Sequence, residues 1–222
     1  MSPQSSRQVE VKDIYFDEYG FYLGVDEQPT NNIRIMRRDD WYALGGKNGK
    51  IVNGKNKIAT NNSVPFSDAS LGEGGWGIPL KPSAILSVYE WIANNLLNLF
   101  VDLGLNNSLG EGILMQSHSI PDIYGINIEE QTIDINQSLM AQKELCDNVF
   151  NIASVLVHER QHLRDAISLG LYGYVAWGKD FQEWQAYTTQ VIYNPYWVLT
   201  TPVFQAYIVN TYRQYNKGMR GK

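Results

Sequence analysis

Apolar and polar positions along the chain follow two different periods, and the switches between them mark the elements. Between residues 9 and 36, "IYFDEYGFYLG" (14–24) and "NNIRIM" (31–36) are short β-rich runs. Gly20, Gly24 and the turn Pro29-Thr30-Asn31-Asn32 bound them, so this stretch reads as strands with a hairpin. Residues 45–79 are rich in Gly, Asn, Lys and Ser and predict a long irregular connection. A helical period opens at 83, where Ser83 can cap after Pro82. Ile85, Val88, Ile92, Leu96 and Leu99 carry it toward a stop at Gly104. "GILMQSH" (112–118) and "YGINIEEQTIDIN" (124–136) return to a period of two. The second reads as strand, turn and strand about Glu129-Glu130-Gln131. A long helix is predicted over 138–168, with Leu145, Val149, Ile152, Leu156, Leu163 and Ile167 on one face and Gly170 as its stop. A further group over 180–193 opens with Asp180 as a cap. Residues 196–216, apolar and aromatic, predict a helix after Pro202. No internal repeat is visible. The organisation expected is an N-terminal β-hairpin segment (1–40), an irregular Gly/Asn-rich connection (41–80) and a main domain (81–222). The fold class is α+β with a small mixed sheet.

Composition narrows the function classes. The 222 residues are 44% hydrophobic and 18% charged, which fits a globular chain. The net charge is −5. No Lys/Arg cluster offers a phosphate-binding surface, so nucleic acid is not an expected partner. No apolar stretch is long enough to cross a membrane: the longest, 84–101, is broken by Glu90, Asn94, Asn95 and Asn98. The opening "MSPQSSRQVE" has no apolar core and does not read as a signal peptide. The single cysteine, Cys146, lies in an apolar pattern and is expected to be a buried small hydrophobe.

Two glycine-rich stretches invite a nucleotide reading and fail it. In "GGKNGK" (45–50) only three residues separate Gly45 from Gly49, and Ile51 stands where a hydroxyl should hold magnesium. "GEGGWG" (72–77) formally fits G-x-G-x-x-G. No apolar strand precedes it, and Pro79 and Pro82 follow where a helix should open.

The chemistry lies in "VLVHERQHLRDA" (155–166), which places His158, Glu159 and His162 in the order H-E-x-x-H. On a helix, residues four apart share a face, so both imidazoles can point at one ion. Glu159 sits one step round from His158, where it can accept a proton from a metal-bound water. With three histidines and eleven glutamates in the chain, chance produces the pattern in only about one shuffled sequence in five hundred. Val155, Leu156, Val157 and Leu163 flank it, and unpaired polar groups in such surroundings are costly. A zinc site of this kind needs a third protein ligand. The candidates are His118, Asp165 and Glu183. Twenty residues lie between His162 and Glu183, room for one helix to end and a second to return alongside it.

Over about residues 110–194 the chain resembles the gluzincin metallopeptidases, zincins with H-E-x-x-H on one helix and a Glu ligand on a following one. The resemblance implies a zincin-like fold in which His158, His162 and Glu183 bind Zn²⁺ and Glu159 is general base and acid. Ala186 matches the small residue often found three after the Glu ligand, where two helices pack closely. The family also implies an edge strand that pairs with an extended peptide or protein substrate, a role for which "TIDIN" (132–136) is placed. Two features depart from it. Tyr187 stands where the best-studied members carry an Asp four after the Glu ligand; Asp165 is the candidate to orient an imidazole in its place. The residue that stabilises the oxyanion is open among Tyr172, Tyr174, Tyr187 and Tyr193.

"YFDEYGFYLGVD" (15–26) resembles a short segment that often precedes toxin domains in bacterial polymorphic toxins. That resemblance implies a secreted metallopeptidase effector, cut from or encoded without a larger carrier, with an immunity protein as partner. The competing expectation is a zincin scaffold that binds without turnover. Glu159 favours the enzyme, because a purely structural site closes four ligands and has no use for a base.

Overall fold

A computed structural model describes residues 12–220 apart from 29, 47–48, 52–53, 111 and 123–126. The chain is α+β, with two small mixed sheets. The first sheet has the order β2-β1-β3-β4, built from β1 (Ile14–Phe16), β2 (Tyr22–Val25), β3 (Ile33–Ile35) and β4 (Val64–Pro65). β1 and β2 form the expected antiparallel hairpin, and β3 lies parallel to β1. The stretch expected to be irregular carries β4 and three short helices: α1 (Arg38–Ala43), α2 (Asn56–Asn61) and α3 (Phe66–Leu71). Local composition hid them because each is held by packing. Trp41, Ala59, Phe66 and Ala69 are fully buried, while the residues around them are mostly polar.

The second sheet has the order β5-β7-β6. It follows α4 (Pro82–Leu97), which ends sooner than predicted because Asn98 takes a left-handed conformation at φ 49°. Lys81 precedes it rather than a capping serine. β5 (Asp102–Asn106) then occupies residues assigned in part to that helix. β5 runs parallel to β7 (Ile128–Asn136), and β6 (Met115–Pro121) runs antiparallel to it. β7 is continuous through Glu129-Glu130-Gln131, so no turn falls there. Glu130 and Gln131 pair with Ile120 and Ser119, and ladder bonds outweigh the poor strand propensity of a charged run. The strand predicted from 124 falls partly outside the described residues. "TIDIN" is the central strand, paired on both sides, and not an edge.

A 3₁₀ turn (Gln137–Ala141) and a short α5 (Lys143–Cys146) replace the start of the predicted long helix. That helix, α6 (Val149–Trp177), begins at Asn148, whose side chain accepts from the backbone N–H of Phe150 at 3.0 Å and Asn151 at 3.1 Å. The N-terminal sheet grips this start: Ile33 N donates to Asp147 O at 2.7 Å, and Val149 N to Asn31 O at 3.0 Å. Gly170 stops helical geometry as expected, at φ 66° and ψ 164°. The chain resumes helix, turns at Gly178, and returns as α7 (Lys179–Thr188) and a π-helical turn (Thr189–Tyr193). Asp180 lies in the first turn of α7; Gly178 holds the cap position. α8 (Pro202–Arg220) closes the described chain after Pro202, as predicted.

One cluster of buried side chains unites these parts. Phe16, Ile33 and Ile35 of the first sheet meet Val88, Tyr89 and Ile92 of α4. Ile133 and Ile135 of β7, Ile152 and Leu156 of α6, and Phe204 and Ile208 of α8 complete it. Cys146 is fully buried within it, and burial pushes its thiol pKa up. Ile167, expected on the buried face, is 61% exposed. It lies near the Gly170 break, beyond the reach of that core. No helix among the described residues is long and apolar enough to cross a membrane.

The Gly170 geometry belongs to a region that side chains with a Cβ essentially avoid. Gly170→Ala is expected to cost about 1–3 kcal/mol, read as a lower urea midpoint with an unchanged slope.

Candidate metal centre

α6 carries His158, Glu159 and His162 on consecutive turns, and all three are buried, at 7%, 6% and 8% exposure. Apolar residues on the neighbouring faces, Leu156 and Leu163 among them, draw this part of the helix inward. The histidine Nε2 atoms face each other at 3.1 Å. Glu183 arrives from α7, with Oε2 at 3.4 Å from His158 Nε2 and 3.9 Å from His162 Nε2. Ala186 is fully buried, and α7 packs against both α6 and α8. The ligand atoms of His158, His162 and Glu183 lie within 4.8 Å of one another, so the group could hold a metal ion. Four ligands bonded at 2.0–2.1 Å around a tetrahedral zinc stand about 3.3 Å apart. The three separations span that value. Two nitrogens and one carboxylate oxygen form a donor set that suits such an ion.

Electrostatics agree with ligation. Burial, and then the charge of His158, push the His162 pKa down to about 4 against the opposing effect of Glu183. Its imidazole is therefore neutral at pH 7, the form that binds metal. Burial pushes the Glu183 carboxyl up, but the hydrogen bond to His158 and the charges of His158, His162 and Lys179 bring it below the ordinary value. Glu159 lies beside the group rather than in it. Its Oε2 accepts the backbone N–H of Ser117 on β6 at 2.8 Å. Burial raises its pKa, partly offset by His158 and by Ser117.

The other candidate ligands lie elsewhere. The His118 imidazole turns to Asp134, with Nε2 at 3.3 Å from Oδ2. Asp165 accepts from Gln161 Nε2 at 2.7 Å and orients no imidazole. One turn of helix carries its carboxylate back to Gln161, which itself accepts from Thr189 of the returning chain. His158 Nδ1 has no hydrogen-bond partner among the described residues. Tyr187, which stands where the resembled family carries an Asp, packs its ring on His158 at 4.3 Å between centroids. Tyr174 places its hydroxyl 2.9 Å from His162 Nδ1. Tyr172 and Tyr193 are 75% and 73% exposed. Sequence reasoning missed the contact of Ser117 with Glu159, which arises only where β6 packs on α6. The Tyr174 contact carried a partial signal: a tyrosine one short segment past the helix-breaking glycine.

No family model matches this chain, and no curated protein or solved structure with which it was compared does so either.

A histidine held neutral to about pH 4, against 6.5 for an unperturbed one, gives a signed expectation for the metal-free protein. The unfolded chain binds a proton at His162 as pH falls through about 6.5, while the folded chain resists until about 4. The stabilisation from this group is thus complete above about 6.5 and is lost as pH falls toward 4. Side-chain NMR should show His162 titrating near 4; a midpoint near 6.5 would mean an imidazole open to water.

Proposed function

We propose that the chain is a zincin-like, zinc-dependent peptidase that cuts peptide bonds, with His158, His162 and Glu183 as ligands and Glu159 as general base and acid. The observation that carries the reading is the meeting of those three ligand atoms beside a buried carboxylate that is not itself a ligand. When bound, zinc would polarise the scissile carbonyl and lower the pKa of its water toward neutrality. Glu159 takes the proton from the attacking water and delivers it to the leaving amine. Burial favours the protonated form of Glu159, which suits the second of these transfers. The Ser117 N–H holds the carboxylate in place through Oε2.

The position of β6 supports it as the strand that pairs with an extended substrate. It is an edge of its sheet, and its Ser117 already meets Glu159. For the oxyanion, Tyr187 is favoured over the exposed Tyr172 and Tyr193. It packs on a ligand, and its hydroxyl is close enough to Glu183 and Glu159 for both charges to act on it. The likeness of residues 15–26 to the segment that precedes polymorphic toxins supports an effector acting on a target protein, with an immunity protein as partner. One observation favours the scaffold reading instead: among the described residues His158 Nδ1 lacks the acceptor that metal-bound histidines usually have.

Three variants separate these readings. The purified protein is expected to hold close to one zinc per chain by elemental analysis. Glu159→Gln should retain that zinc and lose about 10²–10⁴-fold in turnover of a labelled unfolded protein. Glu183→Ala should lose most of the zinc, and His118→Ala should lose none. Zinc in the wild type with equal activity in Glu159→Gln would remove the assigned base, and zinc with no turnover at all would leave a binding scaffold.

A further inference from the structure

Among the described residues the outer ring nitrogen of His158 has no hydrogen-bond partner, whereas that of His162 has one. Tyr174 lies in the segment beyond Gly170, and its hydroxyl is 2.9 Å from His162 Nδ1. We propose that Tyr174 is a positioning residue of the metal centre: its oxygen accepts the Nδ1–H of neutral His162 and so leaves the Nε2 lone pair facing the ion. The proposal rests on the metal reading and adds to it a role for one tyrosine.

The argument is one of protons. A neutral imidazole carries a single N–H, on Nδ1 or on Nε2. Nε2 of His162 faces His158 Nε2 and Glu183 and must be bare to ligate. The proton therefore sits on Nδ1, where it needs an acceptor in a buried place. The Tyr174 hydroxyl supplies it. The two nitrogens point to opposite sides of the ring, so a hydroxyl bonded at Nδ1 lies on the side away from the ion. That removes Tyr174 from the oxyanion candidates.

Tyr174 is itself held in register with the third ligand. Its backbone carbonyl accepts from Gln182 Nε2 at 2.6 Å, and Gln182 immediately precedes Glu183. The short segment after Gly170 thus delivers the acceptor for His162 and, through Gln182, braces the helix that brings Glu183. Outer partners of ligand histidines typically set metal affinity by ten- to a hundred-fold.

Long-range ¹H–¹⁵N spectra of the metal-free wild type, labelled at histidine, read the tautomer directly. His162 is expected as the Nδ1–H form, and an Nε2–H form would overturn the proposal without any variant. Tyr174→Phe keeps the ring and removes the acceptor. It is expected to mix the two tautomers and to weaken zinc about ten- to a hundred-fold in competition with a chromophoric chelator. The metal-free melting temperature checks that the variant is folded. Equal zinc affinity and an unchanged tautomer in Tyr174→Phe would overturn the role of Tyr174 alone. Absence of zinc binding in the wild type would instead overturn the metal reading, and the proposal with it.

Discussion

A straight helix can offer two ligands from one face, but it cannot supply a third from across the ion. The chain has to leave the helix and come back, and the departure is Gly170, at φ 66° and ψ 164°. Everything at the site that does not belong to the H-E-x-x-H turn lies beyond that residue or on β6. Tyr174, Gln182, Glu183 and Tyr187 all follow the break. The return is then fastened from behind. Gln190 and Asn194 both donate to Ser154 Oγ at 3.2 Å, and Thr189 donates to Gln161 Oε1 at 3.2 Å. These bonds anchor the turn after α7 to the same helix it left, so the spacing between His162 and Glu183 is held at both ends.

Burying two imidazoles and two carboxylates on one helix face and its neighbour would be costly if each stood alone. Here most are matched. Glu183 lies against both Nε2 atoms, Glu159 takes a backbone N–H from β6, and His162 meets Tyr174. Among the described residues His158 Nδ1 is left without a partner, at the position where a tyrosine ring rather than a carboxylate packs on it. The centre is therefore asymmetric. One imidazole is oriented by a hydrogen bond, and the other by aromatic packing and by its own helix.

The N-terminal sheet has a structural part in this. Its turn donates and accepts backbone bonds at the first residues of α6, and its apolar face shares the core with α4, β7 and α8. The start of the helix that carries His158 and His162 is thus held by strands more than a hundred residues away in sequence. A hairpin with its own polar edge would be marginal alone; the shared core is what gives it a fixed place.

Much of this was legible from the order of residues. The period of 3.6 through Val149, Ile152 and Leu156 predicts a continuous helix, and four-residue spacing puts His158 and His162 on one face whatever surrounds them. Gly170 and Pro202 mark their boundaries by backbone geometry alone, and the hairpin before Val25 follows from its glycines and alternation. These features are local, so sequence determines them. What required tertiary structure is long-range. Short helices in the Gly/Asn-rich stretch exist because Trp41, Phe66 and Ala69 find a core. β7 runs straight through two glutamates because two neighbours pair with it, which makes β6 the edge. Glu183 rather than His118 or Asp165 joins the histidines because α7 folds back across α6, while His118 is drawn to Asp134 across the β-ladder. Spacing along a chain states which side chains can share a helix face; only the packing of one element on another decides which atoms meet.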